Sequence, residues 1–399
     1  MNRCDRNIKL INVYTMCCHA VFLLPVIVPY YETIGLTFRD FLISESVFAT
    51  VLLLSEVPSG WIADVWKRRT ALIFGLVFGI AGYVGMMLSS ELWHTMLAQG
   101  TLGVAVAMNS GTVTAVLYDS LLEDGRVEEY RRLDGKRHAC SLYAVAFAAF
   151  IGALLFQIHP KLPILMECIA LLIGMIAMSF VMEPKRHTKS VERHAINDLK
   201  VTMGYALRGH PEVTGIILVS TVMFCASKLM LWMQQPYYQH TGIPVEWFGV
   251  IMTASYIVAG MAGHWSHKIE HLGSNRMALT AMSVGMAAAC LIMASIPNGF
   301  LAMLLFMSGT ITYAMGQPRV NNAINNRVGS ERRATILSTA NLMPSLLFIP
   351  TSLIVGAISE SAGIRAAMVY LGVQIFVLAG IGLWLWGRNG RAATPQAPA

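Results

Sequence analysis

Apolar residues run through this chain in long blocks, and polar residues are confined to the gaps between them. Twelve blocks stand out. Six lie at roughly 10–31, 40–63, 70–89, 94–118, 139–157 and 162–182, and six at roughly 212–235, 247–267, 276–296, 299–318, 334–358 and 364–387. Most have the length, about 18–25 residues, at which an α-helix crosses the hydrocarbon of a bilayer. Alternating apolar and polar positions in segments of about ten, the mark of a membrane β-barrel, are absent. The pattern predicts an all-α integral membrane protein of twelve transmembrane helices. The first block carries no small-residue cleavage pattern, so it reads as a retained helix.

The longest polar stretch between blocks runs from Glu183 to Glu212 and divides the chain six and six. The expected organisation is an N-terminal six-helix bundle over 1–183, a linker over 184–211, a C-terminal six-helix bundle over 212–388, and a polar, Pro/Ala-rich tail over 389–399, expected to be disordered. Of the 29 Lys and Arg residues, all but Arg39, Lys161, Arg365 and the in-span Lys228 fall in gaps on one side of the sheet of spans. That asymmetry places both termini in the cytoplasm and the chain in the inner membrane.

Composition sharpens the class. Charged residues make up 13% and apolar residues 55%, with a mean hydropathy of +0.57. A soluble domain carries about 25% charge. In a soluble chain the net charge of +7 would suggest nucleic acid; here the cations serve topology, and no nucleic-acid partner is expected. The seven cysteines show no CxxC and no metal-ligand spacing, and read as small apolar fillers. His264, His267 and His271 cluster after the eighth span. The last two are four apart, which suits a metal, but a degenerate copy of the loop after span two is the preferred reading. No metal or cofactor is expected. No nucleotide-binding loop and no Ser/His/Asp order suggests an enzyme, and no long soluble domain suggests a sensor.

The loop after span two reads "SGWIADVWKRR", Ser59 to Arg69. Gly60, Ala63, Asp64, Arg68 and Arg69 stand where the Gly-x-x-x-Asp turn and trailing cations of motif A stand in the major facilitator superfamily, which the chain resembles. Val65 and Lys67 depart from the pattern, at a usual cation and a usual glycine. The loop after span eight, "AGHWSHKIEHLGSNR", is a faint second copy at an offset of about 202, placing the counterpart of Asp64 beside His267. The resemblance implies two pseudo-symmetric six-helix bundles working by alternating access on a small-molecule substrate, in a chain embedded in lipid and active as a monomer.

It also implies a gate. Asp64 would meet the start of span eleven, where a carboxylate gains from exposed N–H groups, and Gly60 would let helices approach closely. The cations would pair with acids at a neighbouring span end, or serve only as topology signals. "YDS" at Tyr118–Ser120 and "ERRATILS" at Glu331–Ser338 resemble one branch of the superfamily, in which Asp119 would face Arg332 or Arg333. The Arg of the usual motif B, near Met96, and the Pro of the span-five antiporter motif are missing, so the coupling ion, a proton gradient among the candidates, stays open.

Ionisable groups inside spans are costly and mark function. Glu45 and Glu56 lie in span two, about 16 Å apart along one face. Lys228 lies in span seven, at a depth comparable to Glu45, and the two would pair at an outer gate, or each would reach its own interface. Glu56 would brace the inner gate. Glu167, near the outer end of span six, is assigned no role. His19 reads as a packed residue or a proton carrier. The resemblance lines the cavity with spans one, four, seven and ten, which offer Tyr14 and His19; Asn109; Trp232 and Gln234; and Tyr313 and Gln317. That aromatic and amide set fits an amphipathic organic solute such as a drug-like compound or a siderophore. Export is the first expectation and ion-coupled uptake the alternative.

Overall fold

The computed structural model describes residues 2–184, 210–269 and 273–388, without the side chains of a few helical positions, Asp64 and Arg332 among them. The linker, the C-terminal tail and the side chains of His264, His267 and His271 lie outside the described residues.

The described chain is helical. The N-terminal half holds α1 (Arg3–His19), α2 (Ile27–Thr33), α3 (Phe38–Val65), α4 (Arg68–Leu88), α5 (Leu92–Asn109), α6 (Thr112–Glu123), α7 (Tyr130–Ile158) and α8 (Leu162–Ser179). The C-terminal half holds α9 (Pro211–His240), α10 (Glu246–Ile269), α11 (Asn275–Ser295), α12 (Gly299–Asn325), α13 (Ser330–Ala362) and α14 (Ile364–Gly387). Among the described residues, ten helical segments are long and apolar enough to cross a membrane, α1–α2 and α5–α6 each counting as one. Helices α3 and α10 occupy the places of spans two and eight, which accounts for the twelve blocks of the sequence.

Several boundaries follow from capping. Thr37 and Asp40 form a capping box at the start of α3, the Thr37 hydroxyl accepting from the Asp40 N–H at 3.3 Å. Asn298 caps α12 by accepting from the Leu301 N–H at 3.0 Å. Large apolar side chains stay exposed along the helices, such as Tyr143, Phe147, Phe300 and Phe376, as expected where lipid is the solvent.

Two spans are broken where the hydrophobic pattern is continuous. Span one stops at His19, turns through Ala20–Leu23, and resumes through a short 3-10 turn, Leu24–Val26, into α2. Span four breaks between α5 and α6 at Gly111, which takes φ +71°, a left-handed conformation open to glycine.

The chain forms two compact units, Met1–Lys189 with Ile243–Ile257, and Ser190–Gly242 with Val258–Ala399. The expected bundles put residues 243–257 in the second half; the structure packs them on the first. Gly249 lies so close to α7 that a Cβ there would collide with the Ala149 carbonyl oxygen. The first unit's core gathers Ile8, Ile11 and Tyr14 with Leu72, Leu76, Val116 and Leu171. The second gathers Ile216, Val219 and Met223 with Val320, Ile336 and Trp386. Among the described residues nothing lies within 4 Å of where a Cβ on Gly60 would be.

The internal repeat is clearer in the structure than in the loops. Tyr30 donates to the Met86 carbonyl at 2.7 Å, and Tyr237 donates to the Met293 carbonyl at 2.7 Å. Both tyrosines sit in a Pro-Tyr-Tyr that precedes a left-handed glycine, Gly35 (φ +80°) and Gly242 (φ +76°). Arg69 reaches the Ser179 carbonyl at the end of α8, and Arg276 reaches the Leu383 carbonyl near the end of α14. Three pairs, Tyr30/Tyr237, Met86/Met293 and Arg69/Arg276, share an offset of 207. This replaces the offset of about 202 read from the loops and pairs Asp64 with His271.

Candidate functional site

Helix α3 ends at Val65, and α4 begins two residues after Trp66 with Lys67 as its N-cap. The first N–H groups of α4 have no partner within the helix. Glu183, just past α8, supplies one: its two carboxylate oxygens accept from the N–H groups of Arg68 at 2.7 Å and Arg69 at 3.0 Å. A carboxylate at a helix N-terminus also meets the positive end of the helix dipole. The Arg68 guanidinium is ion-paired with Asp119 on α6. The Arg69 guanidinium donates to the Val181 carbonyl at 3.2 Å. The loop after span two is thus fastened at three points to the ends of α6 and α8. The expected pairing of its cations with a neighbouring acid is present, and the acid is Asp119.

Beside this pair lies a cavity of about 440 Å³, lined by Arg68, Gly111, Thr114, Ala115, Tyr118, Asp119 and Tyr130. The rings of Tyr118 and Tyr130 meet edge to face at 5.3 Å. Nearby, Arg126 bonds Asp5 at 2.7 Å, Asp124 at 3.3 Å and Glu129 at 2.7 Å. Glu129, Asp5 and Asp124 hold its guanidinium above the ordinary range, tying the start of α1 to the α6–α7 connection.

Deeper in the first unit, Tyr14 on α1 donates to the Asn109 Oδ1 at the end of α5 at 3.1 Å. His19 packs at the end of α1 with Nδ1 2.8 Å from the Thr15 carbonyl oxygen. Glu45 is buried on α3, and Glu56 lies half-buried below it. Asp64 is placed on the last turn of α3, its side chain outside the described set.

In the second unit, Lys228 stands over the Phe348 ring with Nζ 4.1 Å from its centroid. Trp232 and Gln234 are buried in α9. Tyr313 is exposed and packs edge-to-face on Phe224 at 5.4 Å, and Gln317 donates to Asn341 at 3.0 Å. Arg333 donates to the carbonyls of Asn325 at 3.3 Å and Val328 at 3.4 Å. Within the first unit the structure brings Tyr14 to Asn109 and Arg68 to Asp119, and within the second it brings Gln317 to Asn341. The expected pairs Glu45–Lys228 and Asp119–Arg333 join residues of different units and remain proposals.

Sequence reasoning missed two residues. Glu183 opens the long polar stretch, so its charge was visible, but its role as a cap depends on α8 ending beside α4. Glu167 is 2% exposed, and its Oε1 accepts the Leu23 N–H at 2.8 Å. An interior glutamate was legible; its burial against a broken helix was not.

Two helical units joined by an internal repeat, with membrane-length apolar helices, define a multi-span membrane-protein fold. The chain belongs to the Major Facilitator Superfamily, whose family model matches residues 10–349. Over 138 residues it is 27% identical to the uncharacterized MFS-type transporter YfmI of Bacillus subtilis (strain 168), a match spanning 34% of this chain and 34% of that relative. A mutant of the nucleoside transporter NupG superposes with a TM-score of 0.79 at 12% identity, covering 96% of this chain and 100% of that one. A D-xylose-proton symporter superposes with a TM-score of 0.69 at 11% identity, covering 94% and 97%. At these identities the structures establish the shared fold.

Proposed function

We propose that this transporter moves a small amphipathic organic solute outward across the inner membrane by alternating access of its two halves, coupled to protons. The observation that carries the reading is the Tyr14–Asn109 contact, an uncharged polar pair joining the first and fifth helices. The residues that the sequence offers for the second half are also aromatic and amide groups, Trp232, Gln234, Tyr313 and Gln317. Such a lining suits a solute with apolar body and few polar groups. Motif A is the gate of the cycle, with Asp64 acting at the loop that Arg68, Asp119 and Glu183 hold in place. A second reading, ion-coupled uptake, is favoured by the names of two fold neighbours, a nucleoside transporter and a D-xylose-proton symporter.

The test is accumulation by everted membrane vesicles under an imposed pH gradient, offered a mixture of amphipathic metabolites and drug-like compounds. Export predicts a solute enriched in everted vesicles from the wild type and not from Asp64→Asn. Enrichment confined to right-side-out vesicles establishes uptake instead.

A further inference from the structure

We propose that the cavity along α6 is a binding site for a soluble, amphipathic organic anion, with its carboxylate on Arg68 and its apolar body along Thr114 and Ala115. This rests on the reading above that the solute is amphipathic, and gives that solute an anionic group.

Helix α6 divides its side chains into two sets. Val113, Val116, Leu117 and Leu121 are buried in the core of the first unit. Gly111, Thr114, Ala115 and Tyr118, at the i, i+3, i+4, i+7 spacing of one helix face, line the cavity instead. From Gly111 to Tyr118 the helix rises about 10 Å. The volume of about 440 Å³ is that of a small-molecule site, for which about 300–1,000 Å³ is usual. At one end of the cavity stands Gly111, at the break in span four and two residues after Asn109, the partner of Tyr14. At the other end stand Tyr118, Asp119 and Arg68.

The charged end has donors to spare. Arg68 bonds Asp119 through Nη1, and its backbone N–H bonds Glu183. Among the described residues its Nε and Nη2 are left for a ligand, and the side chain is 20% exposed. A guanidinium carries five N–H donors and grips a carboxylate through two parallel bonds. An organic anion can therefore take the remaining edge of Arg68 while Asp119 keeps Nη1. Asp119 repels such an anion, so the rest of the affinity has to come from the apolar body. The lining supplies it. Thr114 and Ala115 offer a small, shallow wall, and the rings of Tyr118 and Tyr130 meet edge to face at 5.3 Å beside it. Tyr118 is exposed, so its ring has surface free for an aromatic or aliphatic body.

The internal repeat shows that the end of a six-helix unit does not need these groups. At the offset of 207, Arg68 and Asp119 correspond to Asn275 and Asn326, and Tyr118 and Tyr130 to Asn325 and Leu337. Gly111 corresponds to Pro318, inside the unbroken α12. The second unit builds the same corner with neutral amides and a continuous helix. The cation, the two rings and the break occur together in the first unit, where the cavity is.

Equilibrium dialysis of radiolabelled diphenylacetate against the full chain, in nanodiscs of phosphatidylcholine, reads binding without transport. We expect saturable binding of the acid, with neutral diphenylacetamide about tenfold weaker because the charge-assisted bonds are lost. Ala115→Phe fills the cavity and leaves both ions in place, and is expected to weaken the acid about tenfold. Arg68→Gln is expected to erase the difference between acid and amide. Should Ala115→Phe or Arg68→Gln misfold, Tyr118→Ala removes an exposed ring, keeps the ion pair, and is expected to weaken the acid as well. No saturable binding of the acid, an amide that binds as tightly, cationic diphenylmethylamine binding more tightly, or binding that every folded variant leaves intact overturns the proposal. Loss of acid binding in nanodiscs containing phosphatidylglycerol assigns the site to an anionic lipid headgroup and overturns a soluble ligand. An acid that binds here yet accumulates only in right-side-out vesicles keeps the site and overturns outward transport.

Discussion

Arg68 and Asp119 form an ion pair that joins the loop after span two to the end of α6, with side chains only 20% and 15% exposed. At that burial, removing one partner strands the other. Asp119→Asn and Arg68→Gln are each expected to lower stability by roughly 2–3 kcal/mol. The exchange Arg68→Asp with Asp119→Arg is expected to recover part of the loss, since it restores opposite charges. Thermal unfolding of the purified chain in detergent checks this; simple additivity of the two changes would show that the pair does not act as one.

Glu183 is the second fastening. Glu183→Ala removes the acceptor for two N–H groups at the start of α4 and is expected to cost about 0.5–2 kcal/mol. Glu183→Asp keeps the charge on a shorter arm and should lose less. The same unfolding measurement, made at low and high salt, separates a cap from a remote charge effect, because a direct cap resists screening.

Gly152 and Gly60 give opposite expectations for one substitution. Gly152→Ala places a methyl against the Phe22 carbonyl at a distance no relaxation of side chains relieves. A loss of about 1–3 kcal/mol or more, with a drop in folded yield, is expected. Gly60→Ala meets no atom of the described residues and gains helix propensity, so its folded yield and unfolding temperature should match or exceed the wild type. A tolerant Gly152→Ala would show that the break in span one does not press on α7.

The membrane-length helices were legible because bilayer thickness fixes their length, so hydropathy alone finds them. The breaks at Ala20–Leu23 and Ser110–Gly111 were not, because no charge interrupts the apolar run; the first is held by tertiary partners, Glu167 and Gly152. The repeat was hidden for a similar reason. Its signal is not in the loops but in Pro29-Tyr30-Tyr31 and Pro236-Tyr237-Tyr238, whose shared role appears only when both second-position tyrosines are seen bonding Met86 and Met293. Motif A named Arg68, and the Tyr118–Ser120 stretch named Asp119 but set it opposite Arg332 or Arg333; that Arg68 and Asp119 pair with each other, and that Glu183 caps α4, required knowing that α6 and α8 end beside α4.

Orientation has its own test. The cation asymmetry predicts that a reporter active only outside the cytoplasm stays silent when fused after Gly387 and is active when inserted in the loop at residues 239–244. The opposite pattern would invert the topology and with it the assignment of motif A to the cytoplasmic side.

Alternating access is tested most directly at Asn109, the partner of Tyr14. Asn109→Cys is made in a chain whose seven native cysteines are replaced, and a membrane-impermeant maleimide is applied to right-side-out and to everted vesicles. A carrier that opens alternately predicts labelling of this one position from both faces, with Asp64→Asn shifting the balance between them. Labelling from a single face, while the detergent-solubilised protein reacts fully, would contradict alternating access in this chain.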